Sequence, residues 1–207
     1  MIIDQSVKVF LEQLASKSAT PGGGSAAAII GGMGAALVAM VCNLTLGKKN
    51  YEAVEAEMRS TLTAAEALRE RLTELVRADV EAFNRVMAAY ALPKDGAVQQ
   101  EARSAAIQDA LRGATEVPLA CARACADVIR ISRVVAEHGN SNVVTDAGVA
   151  VLAGYAGLKS AALNVYVNTS AIKDQGFVTE RLSELNALLT GMDVAAEDIY
   201  REVQSRL

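Results

Sequence analysis

Tryptophan is absent from this chain, and its aromatic residues amount to five Tyr and three Phe in 207 positions. With 52% of residues hydrophobic, the apolar mass must come largely from Ala, Val, Leu and Ile, with 15 Gly beside them. Sheet proteins draw on β-branched and aromatic residues in short alternating runs, so this scarcity disfavours an all-β fold and favours closely packed helices. Histidine is scarce as well. His138 stands alone, which excludes within one chain any mechanism needing two or three imidazoles, including the usual catalytic zinc sites, and no metal site is expected. The three cysteines form no disulfide framework; Cys121 and Cys125, four apart in a helical pattern, read as reduced, partly buried residues of a cytoplasmic protein. There is no excess of positive charge. Lys and Arg number 20 against 24 Asp and Glu, with no long basic run, so the electrostatic footprint of a nucleic-acid partner is missing.

What is present begins with a long uncharged stretch. No charge occurs from Ser18 to Gly47, and Ala26 to Cys42 is almost wholly apolar, long enough to count as a marginal membrane span. Its Ala and Gly content, and the acidic Asp4 and Glu12 upstream where a secretory signal would be basic, favour a buried core helix and no membrane association.

The breakers divide the rest. Ile3 to Ser16 reads as an amphipathic helix with Val7, Phe10, Leu11 and Leu14 on one face. Ala19 to Ser25 is a tight loop, with Gly24 or Ser25 placed to cap the small-residue helix that follows. Tyr51 to Tyr90 contains neither Gly nor Pro, so about 40 residues form one helix of about 60 Å. Ala97 to Glu137 is helical too, with Gly113 and Pro118 expected to kink or split it, and Gly139 lies past its last turn. Asn142 to Ala171 is a second nearly uncharged helix, and Phe177 to Leu207 is a final amphipathic stretch. The expectation is an all-α helical bundle, residues 1–207 in a single domain, with two central small-residue helices among long amphipathic ones. So long a helix in so short a chain also suggests packing on a second subunit.

Register singles out Asp79. Apolar positions recur at Tyr51, Val54, Met58, Leu62, Ala65, Leu68, Leu72 and Leu75, then Phe83, Val86 and Tyr90, and the missing step falls on Asp79. A carboxylate on an apolar stripe is either a structural acid bonded to a neighbouring helix or a functional one. Glu81 projects elsewhere and serves as its control. Asp146, Ala150, Ala153, Gly157, Ala161, Asn164 and Asn168 form one small and polar face, suited to close helix approach or to a polar cleft. Asp146 could equally be a favourable first-turn charge, Asn140, Ser141 or Asn142 an N-cap, and Asn164 and Asn168 interhelical donors. On the early helix Ser25, Ala28, Gly32, Ala35, Ala39 and Asn43 share a face that ends beside Lys48 and Lys49, which suit either a helix C-terminus or an acidic ligand. Gly22-x-Gly24-x-x-Ala27 formally matches a dinucleotide fingerprint but has no preceding strand. His138 reads as a last-turn dipole residue. These residues alone admit an enzyme or an interaction scaffold.

Four motifs in order add more. Thr20-Pro21-Gly22-Gly23-Gly24-Ser25, Asn43-Leu44-Thr45-Leu46-Gly47-Lys48-Lys49-x-Tyr51, Asp79-x-x-Ala82-Phe83 and Gly139-Asn140-x-Asn142-x-x-x-Asp146-Ala147-Gly148, with Asn164 following, resemble the cyclodeaminase/cyclohydrolase family across the whole chain. The resemblance implies an all-α homodimer acting on a tetrahydrofolate one-carbon adduct, with no metal or redox cofactor. Since no formiminotransferase region precedes residue 1, the expected reaction is hydrolysis of 5,10-methenyltetrahydrofolate to 10-formyltetrahydrofolate. The alternatives are deamination of 5-formiminotetrahydrofolate and a non-catalytic helical dimer. In this reading Asp79 is the catalytic carboxylate, Ser25, Asn43, Asn140, Asp146 and Asn164 contact the substrate, and Lys48 and Lys49 meet its glutamate carboxylates.

Overall fold

Small residues decide how closely the helices pack. A computed structural model of the chain describes residues 5–207. It contains α1 (Val7–Leu14), α2 (Gly23–Thr45), α3 (Glu55–Tyr90), α4 (Ala97–His138), α5 (Val144–Thr169), α6 (Gln175–Leu189) and α7 (Met192–Ser205), with no strand among the described residues. Short 3-10 turns, Glu52–Val54 and Ser141–Val143, lead into α3 and α5.

The expected pair of uncharged helices, α2 and α5, forms the centre. They run antiparallel, because Gly34 lies against the Ala150 carbonyl while Gly157 lies against the Ala27 carbonyl and the Gly31 amide. A Cβ on Gly34 would sit 2.9 Å from the Ala150 oxygen, and one on Gly157 only 2.8 Å from Cys125 Sγ. The glycines therefore let two backbones and the α4 cysteine meet with nothing larger between them. All three cysteines are free and buried. Burial pushes the Cys42 thiol up to about 11; Cys125 is raised by its contact with Cys121 and by burial, so both remain protonated packing groups. By length and hydropathy α2 and α5 could cross a membrane, but their inner faces, including Val38, Val41, Val151 and Leu158, are core.

The long helices differ from expectation in an instructive way. α4 is one uninterrupted helix in which Pro118 is buried, so of the kink or split expected at Gly113 and Pro118 the split does not occur. Proline has no N–H to offer the carbonyl four residues back, which is that of Ala114. Asn168 of α5 supplies the missing donor, its Nδ2 lying 2.7 Å from the Ala114 oxygen. The 40-residue helix is nearly as expected, beginning with its 3-10 turn, and buries Met58, Ala65, Leu72 and Leu75. The last stretch is two helices, because Gly191 adopts φ 75° and turns the chain between α6 and α7. α1 is shorter than expected: Phe10 is buried while Val7 and Leu11 of the same expected face are exposed, and Ile3 lies outside the described residues.

The α2 C-terminus is tied to the α4–α5 turn. The Asn140 amide donates to Thr45 Oγ1 at 2.9 Å and its Nδ2 to the Leu44 carbonyl at 2.8 Å, while its Oδ1 accepts from the Asn142 amide. Tyr51 Oη accepts from the Ser141 amide at 3.0 Å. Arg206, near the C-terminus, donates to the carbonyls of Ala136 and Gly139.

Replacing Asn168 by Ala leaves the Ala114 carbonyl buried without a donor, and an expected loss of about 1–3 kcal/mol in urea unfolding follows. In a Pro118→Ala background the new amide restores the helical bond, so the same replacement should cost less than half as much. Equal costs in both backgrounds would contradict this account of the uninterrupted helix.

Candidate functional site

Asp79 lies two-thirds of the way along α3, on the stripe that faces α2, and is half-buried. Its position is set by the first turn of α2. Ser25 is fully buried, and its Oγ donates to Asp79 Oδ2 at 2.7 Å. Gly22 is the N-cap; neither Gly24 nor Ser25 performs the expected capping, and the Ser25 hydroxyl serves the carboxylate instead. Gly24 is required by proximity: a Cβ there would lie 2.1 Å from Asp79 Oδ1 and 2.7 Å from its Cγ. The first-turn N–H groups of a helix carry partial positive charge, which favours a carboxylate at this place.

Asn164 completes the group from α5. Its Nδ2 donates to the Ser160 carbonyl at 3.0 Å and would lie 3.9 Å from a Cβ on Gly23. Leu75, Val117, Pro118, Cys121 and Ala161 enclose the inner side of Asp79 around a cavity of about 10 Å³. That is at the lower limit for one water. A ligand can therefore meet the carboxylate only from its outer side, next to exposed Gly23 and half-buried Asn164. Among the described residues no bond to Asp79 Oδ1 matches the one Ser25 makes to Oδ2, which leaves Oδ1 able to accept a proton from whatever docks there. Glu81, two residues on, is exposed.

Of the residues nominated from sequence, Asp79, Ser25 and Asn164 come together. Asn43, Lys48, Lys49, Asn140 and Asp146 do not join them. Ser25 and Asn43 are at opposite ends of α2, about 27 Å apart along its axis. Asn43, Lys48 and Lys49 are exposed at that far end, Asn140 spends its side chain on the α2–α5 junction, and Asp146 is in the first turn of α5. Two motifs of the resemblance, the one ending at Tyr51 and the one beginning at Gly139, therefore meet as a structural joint within the chain. His138 closes α4 with its Nε2 3.9 Å from carboxylates of Glu57 and Glu137, well away from Asp79. Sequence reasoning missed Gly24 and Pro118 as parts of the site. The run of three glycines before a helix was the available signal for the first.

Comparison with known proteins agrees with the all-helical fold. The family model described as formiminotransferase-cyclodeaminase matches residues 6–187. A methenyltetrahydrofolate cyclohydrolase of Methylorubrum extorquens is 54% identical over 204 residues, covering 99% of this chain and 98% of that protein. A formimidoyltransferase-cyclodeaminase of Sus scrofa is 33% identical, and there the chain spans only 38% of the relative's length. The crystal structure of a formiminotetrahydrofolate cyclodeaminase from Thermotoga maritima superposes with a TM-score of 0.84 at 33% identity, covering 100% of this chain and 98% of that one. The motifs, the helical architecture and these matches agree: the chain belongs to the formiminotransferase-cyclodeaminase family.

Proposed function

We propose that the protein hydrolyses 5,10-methenyltetrahydrofolate to 10-formyltetrahydrofolate in one-carbon metabolism, with Asp79 as its catalytic carboxylate. The observation that carries the reaction is the 54% identity with a methenyltetrahydrofolate cyclohydrolase over nearly the full length of both chains. Chain length itself does not discriminate, because the Thermotoga maritima cyclodeaminase is matched over 98% of its chain. That structure makes formiminotetrahydrofolate deamination the second reading.

The chemistry follows from the Asp79 surroundings. The methenyl substrate is an amidinium cation, and an anionic carboxylate at a helix N-terminus attracts it to the outer side of the site. As water adds to the bridging carbon, Asp79 Oδ1 takes its proton, giving a neutral tetrahedral adduct and a carboxylic acid. The acid then returns that proton to N5 as the N5–carbon bond breaks. The adduct's hydroxyl proton leaves to solvent as the formyl C=O forms on N10. Ser25 holds Oδ2 throughout, and so fixes which oxygen works. Asn164 lies beside the same opening, where its Oδ1 can accept a hydrogen bond from the pterin.

We also infer that a second copy of the chain covers the outer face of α2 and α5, giving a homodimer. Met33, Val149, Leu152, Leu163 and Val167 are 47–68% exposed, and Lys159 is the sole charged exposed residue on these two helices. An apolar face of this kind suits a permanent interface. Three free cysteines fit a reducing compartment and a cytoplasmic enzyme.

Methenyl absorbance tests the reaction directly: purified protein should accelerate its loss from methenyltetrahydrofolate, and its appearance from the formimino compound would favour deamination instead. Asp79→Asn should lower kcat by about 10³-fold or more, with Glu81→Gln within about twofold of the native rate. Gly24→Ala, which pushes the carboxylate aside, should cost about 10²-fold; native rates in Asp79→Asn would refute the assignment. Leu163→Glu should shift the dimer toward monomer in light scattering, and a monomeric native protein would refute the interface.

A further inference from the structure

The α3–α4 turn and the α5–α6 linker meet over one face of α4, away from Asp79. Tyr90 closes α3 about 16 Å along the helix from Asp79. Buried Ala89, Ile107, Leu111 and Ile172 form a small core of their own at this end, which separates it from the Asp79 site. Beside that core lies a cavity of about 440 Å³ whose lining includes Lys94, Arg103, Lys173, Ser104, Gln100 and Gln108. Its size falls within the range of about 300–1,000 Å³ usual for small-molecule sites.

The charge of this cavity is of one sign, in a chain whose net charge is −4. Lys94, Arg103 and Lys173 line it, with no Asp or Glu, and among the described residues none of the three is in an ion pair. Each cation comes from a different segment, and neutral groups anchor every one of those segments. Gln100 Nε2 donates to the Lys94 carbonyl at 3.2 Å, which ties the α3–α4 turn to α4. Gln108 clamps the α5–α6 linker: its Nε2 donates to the Ala171 carbonyl at 3.1 Å, and its Oε1 accepts from the Lys173 amide at 2.7 Å. Lys173 Nζ donates to Ser104 Oγ at 3.0 Å. Arg103 donates through Nε and Nη2 to the Tyr90 carbonyl at 3.3 and 2.9 Å and lies over the Tyr90 ring at 5.7 Å. The cations are thus oriented while their charge is left unspent.

A single exposed ion pair adds little to binding, so one carboxylate would not be held here. An occupant has to meet cations from at least two of the three segments at once, and therefore carries several negative charges close together. A diphosphate meets that requirement. Its oxygens accept and do not compete for donors, the planar guanidinium suits the oxygens of one phosphoryl group, and the ammonium groups act as point charges toward the other. We propose that this cavity binds a diphosphate group, as free pyrophosphate or as part of a nucleoside diphosphate, and that the bound anion joins the α3–α4 turn to the α5–α6 linker. Such a site is independent of the reaction at Asp79.

Thermal unfolding and titration calorimetry at constant ionic strength, without added metal, test it. Inorganic pyrophosphate at about 1 mM should raise the Tm of the native protein by about 3 °C or more, with saturable binding. Lys94→Gln/Lys173→Gln changes two exposed side chains; it should lose most of this shift and bind pyrophosphate at least about tenfold more weakly. Should that variant fail to fold, Lys94→Gln alone, which breaks no ion pair, should still weaken binding by about threefold or more. Lys48→Gln/Lys49→Gln makes the same change of charge at the other end of the molecule and should retain the native response. ADP separates the two sources: a response equal to that of pyrophosphate assigns the diphosphate alone, and binding at least about tenfold tighter assigns a nucleotide, either outcome supporting the site. No saturable binding of either compound, or equal loss in the two double variants, overturns the proposal. So does a Tm shift that survives in Lys94→Gln/Lys173→Gln, because exclusion of a strongly hydrated anion from the whole surface stabilises a protein without any site.

Discussion

The close approach of α2 to α5 is the constraint on which the rest depends. Gly34 and Gly157 remove the Cβ atoms that would meet the opposite backbone, and the Cys125 thiol of α4 fits against Gly31 and Gly157 in the notch left between the two helices. That contact fixes where α2 starts relative to α3. Once α2 starts there, Gly24 and Ser25 are set against Asp79, and the carboxylate has one oxygen bound by Ser25 and the other lying against Gly24. An added methyl at Gly24 would collide with the carboxylate itself, so the site and the core share one tolerance.

The same economy explains the proline in α4. Pro118 lines the inner side of the Asp79 cavity, and the carbonyl its ring orphans is recovered by Asn168. A buried proline is thus compatible with a 42-residue helix because a neighbouring helix supplies the donor. Asn164 and Asn168, one turn apart, divide their tasks: the first is at the mouth of the site and the second repairs α4.

Much of this was legible in the sequence. Composition and uncharged runs gave the all-α bundle and its two central helices, and the gap in the α3 stripe singled out Asp79 before any coordinate was known. The rest required three dimensions. Motifs adjacent in a resemblance need not be adjacent in space, and Asn43, Lys48, Lys49, Asn140 and Asp146 gather at the opposite end of α2 because antiparallel packing with α5 sends them there. Asn140 carries the signature of a donor, but every polar group of its side chain is used at the helix junction. The continuity of α4 was hidden because a local rule about proline carries no knowledge of Asn168, fifty residues on. The Gly191 turn was similarly masked by the hydrophobic pattern that runs through both α6 and α7.

Crystallography of the protein with a bound tetrahydrofolate tests the central claim most directly. The account predicts the reacting carbon, between N5 and N10, beside Asp79 Oδ1 on the outer side of the Gly23–Ser25 turn. A folate whose reacting carbon instead lies at the other end of α2, among Asn43, Lys48 and Asn140 of the same subunit and remote from every Asp79, would contradict it.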